Sequence, residues 1–198
     1  MPDGEPGIRE IRDHIHAVFS RPGSHGPDHT ERVTALCERI GREEHADRAV
    51  LIPAALLHDI ARPLEKEQGL PHEIEGARMA EEILVSLHYD ASRIPHIAAA
   101  IRTHRYRSAR RPATLEAQIL SDADKLDALG AIGIARTFMR AGEHGGSIHD
   151  GIDHFHDKLL KLPDLMYTDT ARRIARERHA FLVRFLEILK EEMADPRG

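Results

Sequence analysis

The chain has 198 residues, 41% hydrophobic and 31% charged, which is enough for one sizeable buried core and too apolar for a disordered chain. No apolar run approaches the roughly 20 residues needed to cross a bilayer, and the acidic, Pro/Gly-rich start from Met1 to Glu10 lacks the apolar centre of a secretory signal, so a cytoplasmic protein without a membrane partner is expected. A net charge of −5 offers no electrostatic footprint for DNA, and the single cysteine, Cys37, excludes an internal disulfide framework.

Helical spacing runs through the chain. Ile8, Ile11, Ile15, Val18 and Phe19 recur at three and four residues and predict a first helix. Ser20 to Pro27 reads as a loop by its Pro/Gly content. Asp28 is placed to cap a helix carrying Val33, Leu36, Cys37 and Ile40, with Gly41 near its end and Cys37 a buried structural thiol. Ala49 to Ile60 reads as a more buried helix, in which Pro53 is awkward outside the first turn. Further helices are predicted over 72–88 and 93–103, then from a Thr114 cap through Leu129, with room for a bend.

Four glycines from Gly142 to Gly151 predict a flexible loop. Two helices then follow, the second long, with Ile174, Phe181, Leu182, Phe185, Leu186 and Leu189 on one side. That long helix is expected to pack on the core rather than across a dimer. No alternating strand pattern and no internal repeat appears. The expectation is an all-α fold: one compact domain over 1–198, about seven to nine helices, with C-terminal helices over 148–192.

Fifteen histidines are unusual, and histidine is the commonest metal ligand. His58-Asp59 ends the apolar run Ala54 to Leu57, where an adjacent imidazole and carboxylate are costly unless paired or bound to a metal. A divalent cation satisfies both. A hydrogen-bonded structural pair is the plainer alternative for the dipeptide taken alone. His29 starts an amphipathic helix. Asp122, Asp124 and Asp127 crowd one short stretch, with Asp124 and Asp127 sharing a face with Leu120 and Asp122 pointing elsewhere. A solvated acidic face would also explain them.

Taken together, His29-Thr-Glu-Arg-Val33, Ala55-Leu-Leu-His-Asp-Ile60 and Asp122-Ala-Asp-Lys-Leu-Asp-Ala-Leu-Gly130 resemble the HD-domain metal-dependent phosphohydrolase superfamily, whose pattern is a His, a His-Asp pair and a distant Asp on helices around one metal. The resemblance covers roughly residues 20 to 140. The stretch with Lys158 to Lys161 and Met166 to Thr168 looks like the small stand-alone bacterial and archaeal branch.

The resemblance implies that His29, His58, Asp59 and Asp124 hold a divalent metal: Mn, Mg, Fe, Ni or Zn. Asp124 is preferred over Asp122 because Lys125-Leu126 follows it. His72 and His104 fall where two-metal members place extra ligands and one-metal members face the substrate, so a second ion is an open alternative. His25 precedes the motif where the small branch commonly has His-Asp; here Gly26 follows.

Implied chemistry is hydrolysis of a phosphoester or phosphoanhydride. The metal would acidify water and polarise a phosphoryl oxygen, Asp59 or Asp124 would accept a proton, and His72 or His104 would serve the leaving group. Arg32, Arg102, Arg105 and Lys125, with His25, are the candidate substrate contacts; each is also readable as a plain surface charge.

The expected substrate is a small phosphorylated molecule, in particular a nucleotide, by analogy with the small branch. Among aromatics, a stacking partner for its base would have to come from Tyr89, Tyr106, Tyr167 or a Phe. Two other classes remain open: a di-iron oxygenase of the HD type, and a non-catalytic nucleotide-binding regulatory module. The run His149 to Asp157 has spacings compatible with another metal site but reads more simply as polar surface.

Overall fold

The structure, a computed structural model, describes residues 6–18, 27–106, 108 and 110–194. It is all-helical, with no strand among the described residues. In chain order the helices are α1 (Pro6–Val18), α2 (Pro27–Glu43), α3 (Arg48–Leu57), α4 (Arg62–Gln68), α5 (His72–Ser86), α6 (Ile94–Thr103), α7 (Leu115–Asp127), α8 (Gly130–Glu143) and α9 (Ile148–Asp157). A 3-10 segment, Leu159–Leu165, leads into the long α10 (Asp169–Ala194). No helix among the described residues is long and apolar enough to cross a membrane.

The chain divides into two compact units, Met1–Asp124 and Lys125–Gly198. In the first, α3 is the central rod. Every residue from Val50 to Leu57 is buried, and α1, α2, α5 and α6 pack around it. Asp47 caps it through its Oδ1, which accepts from Ala49 N at 2.8 Å. The α2–α3 crossing is close at Gly41, where a Cβ would stand 2.6 Å from Leu51 Cδ2.

Pro53 lies well inside α3 rather than in its first turn. It removes the N–H that would bond the carbonyl of Ala49. Tyr89 Oη donates to that carbonyl at 2.7 Å, which satisfies the acceptor proline leaves open and lets a buried proline stand mid-helix. Tyr89 is thereby occupied in structure.

Several expected boundaries shift for identifiable reasons. α2 starts at Pro27, so Asp28 sits in its first turn rather than at its cap, where its charge still favours the helix dipole. α3 stops at Leu57, before the His-Asp pair. α4 is not anticipated; it is short, has Pro63 as its second residue and ends on Gly69 in the left-handed region (φ 71°). The helix anticipated through Leu129 ends at Asp127, and α8 begins at Gly130, also left-handed (φ 71°). The glycine loop is shorter than expected. Gly142 lies in α8 and Gly151 in α9, and a capping box of Ser147 and Asp150 starts α9 early.

The second unit gathers Phe138, Phe155 and Phe185, with ring centroids 5.9–6.3 Å apart. α10 packs on α8 and on the 3-10 segment. Its buried side is Ile174, Leu182 and Leu186, whereas Phe181, expected inward, is exposed. Arg178 on α10 donates to the carbonyl of Leu126 at 2.6 Å, and Arg136 pairs with buried Asp127 at 2.6 Å.

Candidate metal centre

The first unit turns several helix ends toward one point. His29 lies in the first turn of α2, His72 opens α5, His104 directly follows α6, and Asp124 is near the end of α7. His58 and Asp59 occupy the tight turn after α3. There Ile60 N bonds Leu57 O at 3.2 Å and Arg62 N bonds Asp59 O at 2.9 Å. Neighbours on a helix point about 100° apart; leaving the helix lets two consecutive side chains face one centre.

Asp59 is the hub. Its Oδ2 lies 3.6 Å from His29 Nε2 and 3.7 Å from His58 Nε2. Its Oδ1 lies 3.5 Å from His72 Nε2 and 3.6 Å from His104 Nε2. His29 Nε2 is also 3.3 Å from His58 Nε2 and 3.4 Å from Asp124 Oδ1. All four histidines and Asp59 are buried to 1% exposure or less, while Asp124 reaches 19%. The cluster therefore has one edge open to solvent.

These spacings suit a metal. Two ligands each about 2.1 Å from a shared ion in tetrahedral array stand about 3.4 Å apart. Three groups of donors lie within 4.8 Å of one another among the described residues; two share Asp59, with His29 and His58 and with His72 and His104, and the third is Glu65, His72 and Glu73. The ring tautomers agree. His58 Nδ1 donates to Ala55 O and His104 Nδ1 to Ile101 O, both at 2.7 Å, so each Nε2 presents a lone pair inward. His72 Nε2 and His104 Nε2 are buried with no hydrogen-bond partner, an arrangement a cation would relieve.

Burial pushes the imidazoles of His58 and His72 down to about 4, so both are neutral near pH 7, as ligation requires. For His72 the positive charge of Arg62 adds to the effect of burial. Burial works to raise the Asp124 carboxyl, but the hydrogen bond and charge of His29, with His104 and His58, hold it well below the usual carboxylate range.

Around His72 lies a ring of charge of which the sequence singles out Arg105 alone. Arg62 Nε donates to Asp59 Oδ1 at 2.8 Å and its Nη1 to Glu65 Oε2 at 2.9 Å. His72 Nδ1 stands 3.0 Å from Glu65 Oε2 and 3.4 Å from Glu73 Oε2. Arg105 Nη1 reaches both carboxylates, at 3.0 and 3.2 Å. The three-residue step from Asp59 to Arg62 was the available signal.

Arg32 is half-buried one turn after His29. Arg102 pairs with Glu81 at 2.8 Å. Lys125 belongs to the second unit, where its ammonium lies 4.8 Å from the Tyr167 ring centroid. His25 falls outside the described residues. Asp122 is fully buried, not part of a solvated face. The stretch from His149 to Asp157 holds no group of metal-competent donors among the described residues.

The HD-domain family model matches residues 28–129, the segment that carries every donor from His29 to Asp124. The chain belongs to the HD-domain family. YpgQ of Bacillus subtilis is 35% identical to this HD-domain chain, covering 93% of it and 92% of YpgQ. The crystal structure of YpgQ in complex with ADP superposes with a TM-score of 0.79 at 33% identity, covering 94% of this chain and 98% of that one. A predicted HD superfamily hydrolase from an uncultured Thermotogales bacterium gives 0.74 at 34%, over 96% and 94%. An HD-superfamily hydrolase from Bacillus thuringiensis gives 0.76 at 31%, over 95% and 97%.

Proposed function

We propose that this HD-domain protein is a metal-dependent phosphohydrolase acting on a nucleotide, with His29, His58, Asp59 and Asp124 as ligands of one divalent ion. The observation that carries the reading is Asp59: a buried carboxylate with imidazole nitrogens facing both of its oxygens. Such a set is poorly explained as a hydrogen-bonded core, because the buried Nε2 atoms of His72 and His104 face Asp59 Oδ1 at 3.5 and 3.6 Å without forming a hydrogen bond. The hydrolase class is supported by the likeness to HD-superfamily hydrolases, and the nucleotide by YpgQ having been crystallised with ADP.

A divalent ion bound there would supply acidified water and polarise a phosphoryl oxygen. The chain's own groups do the rest. His104 presents a bare Nε2 and can take a proton from the attacking water. It can then return that proton to the leaving oxygen, the sequence a neutral imidazole permits. Asp124, at the open edge, is the alternative acceptor. Arg105 offsets phosphate charge by turning from Glu65 and Glu73, and Arg32 is near enough in sequence to His29 to join it.

The test is product identification by phosphorus NMR. Protein loaded in turn with Mn, Mg, Ni and Fe(II) is incubated with nucleoside mono-, di- and triphosphates. Pyrophosphate from a triphosphate identifies a pyrophosphohydrolase, and orthophosphate from a monophosphate a nucleotidase. No phosphorus product with any metal refutes the proposal. Asp59 between two donor pairs also favours a second reading, a di-iron oxygenase, for which iron content and oxygen uptake are the discriminating measurements.

A further inference from the structure

Arg62 is a cation built into the cluster on one side only. Its Nε donates to Asp59 Oδ1, the oxygen that faces His72 and His104. Oδ2 instead faces His29 and His58. The guanidinium is anchored from behind by Glu65, whose other oxygen bridges to Arg105. Arg62 opens α4 ahead of Pro63, and its side chain is 22% exposed, so it is a fixed member of the cluster rather than a solvated charge.

The two donor sets thus differ electrostatically although they share a carboxylate. An ion entering between Oδ1, His72 and His104 must compete with a charge-assisted hydrogen bond for that oxygen and must lie beside a positive group. We propose that Arg62 is a positioning residue that separates the two sets: it balances Asp59 Oδ1 in the metal-poor protein and makes the His72–His104 set bind a divalent ion more weakly than the set containing His29, His58 and Asp124.

When a second ion enters, Arg62 releases Oδ1 and stays on Glu65. The sites then fill in order. At limiting metal the Nε2 atoms of His72 and His104 remain open to substrate. The inference rests on the reading of the first set as a metal site.

The test is a Mn(II) titration of full-length, chelator-stripped protein, followed by calorimetry and by electron paramagnetic resonance, which detects coupling between two ions sharing a carboxylate. Wild type is expected to show one tight step and a second at least about ten-fold weaker, the scale of one charged hydrogen bond. Arg62→Met should tighten the second step by a similar factor and leave the first nearly unchanged, with the coupled signal appearing at lower metal. Arg62→Gln, checked for fold by circular dichroism, should behave the same way, and Arg62→Lys should restore part of the gap. An unchanged second step in both neutral variants overturns the inference. So does a parallel weakening of both steps, which would mean that Arg62 merely holds Asp59 in place. A wild type with no tight step at all overturns the metal reading itself and this inference with it.

Discussion

The metal-free protein should lose stability as it is acidified from pH 6.5 toward 4, and His58 should account for much of the loss. Its imidazole falls from about 6.5 to about 4 because it is fully buried. A folded-state pKa below the unfolded one means that the unfolded chain takes up the proton first. Stability is therefore complete above pH 6.5 and drains away as the pH drops through the window between the two values. At about 1.4 kcal/mol per unit, the shift corresponds to about 3 kcal/mol from this residue alone. For a chain of this length that is a fall in Tm of roughly 6–12 °C.

The assay is chemical denaturation in chelator at half-unit pH steps, with His58→Gln in parallel. The variant should show a slope shallower by nearly one proton, about 1.4 kcal/mol per pH unit in mid-window. Identical slopes for the two proteins would refute the assignment of His58 as a buried neutral imidazole.

Other outcomes follow from the same geometry. Asp59→Ala should abolish turnover and reduce divalent-metal binding by at least about ten-fold while leaving the helical circular dichroism largely intact; calorimetry and phosphate release read the two losses. Asp124→Asn should weaken metal binding by a comparable factor, because Asp124 Oδ1 stands 3.4 Å from His29 Nε2, whereas Asp122→Asn should leave the stoichiometry unchanged. Tyr89→Phe should destabilise the fold by about 1–3 kcal/mol in urea denaturation, since it strands the Ala49 carbonyl that Pro53 cannot serve.

Periodicity located most of the helices because each buries a stripe against α3 or in the second unit, and a buried stripe leaves its spacing in the sequence. What periodicity could not locate was where helices stop. Nothing in Leu56-Leu57-His58-Asp59 marks the exit from α3, yet that exit aims His58 and Asp59 at the same point. α4 was invisible because its seven residues are mostly polar and carry no stripe. Phe181 was misplaced for the opposite reason: its hydrophobicity fits the stripe, but its register on α10 turns it outward.

At the centre, His29, His58, Asp59 and Asp124 were readable as a motif, and the structure brings them within a few ångströms of one another. His72 and His104 were readable too, and their juxtaposition with Asp59 Oδ1 emerges only in three dimensions. Arg62, Glu65 and Glu73 went unnoticed because a charged residue in a polar stretch looks like solvated surface until its partner is seen. Lys125 is a candidate substrate contact by its adjacency to Asp124; its packing against the Tyr167 ring is not legible from adjacency.

The proposed hydrolysis depends on an ion held by the Asp59 cluster. The most direct measurement strips the protein with chelator, restores Mn(II) in fractions of an equivalent, and follows phosphate release from a nucleoside triphosphate beside bound-metal content. The stripped protein should give no release, release should rise in proportion to occupancy of the first tight site, and Asp59→Ala should give none at any metal concentration. Release that persists in chelator, or that Asp59→Ala retains in full, would contradict that dependence.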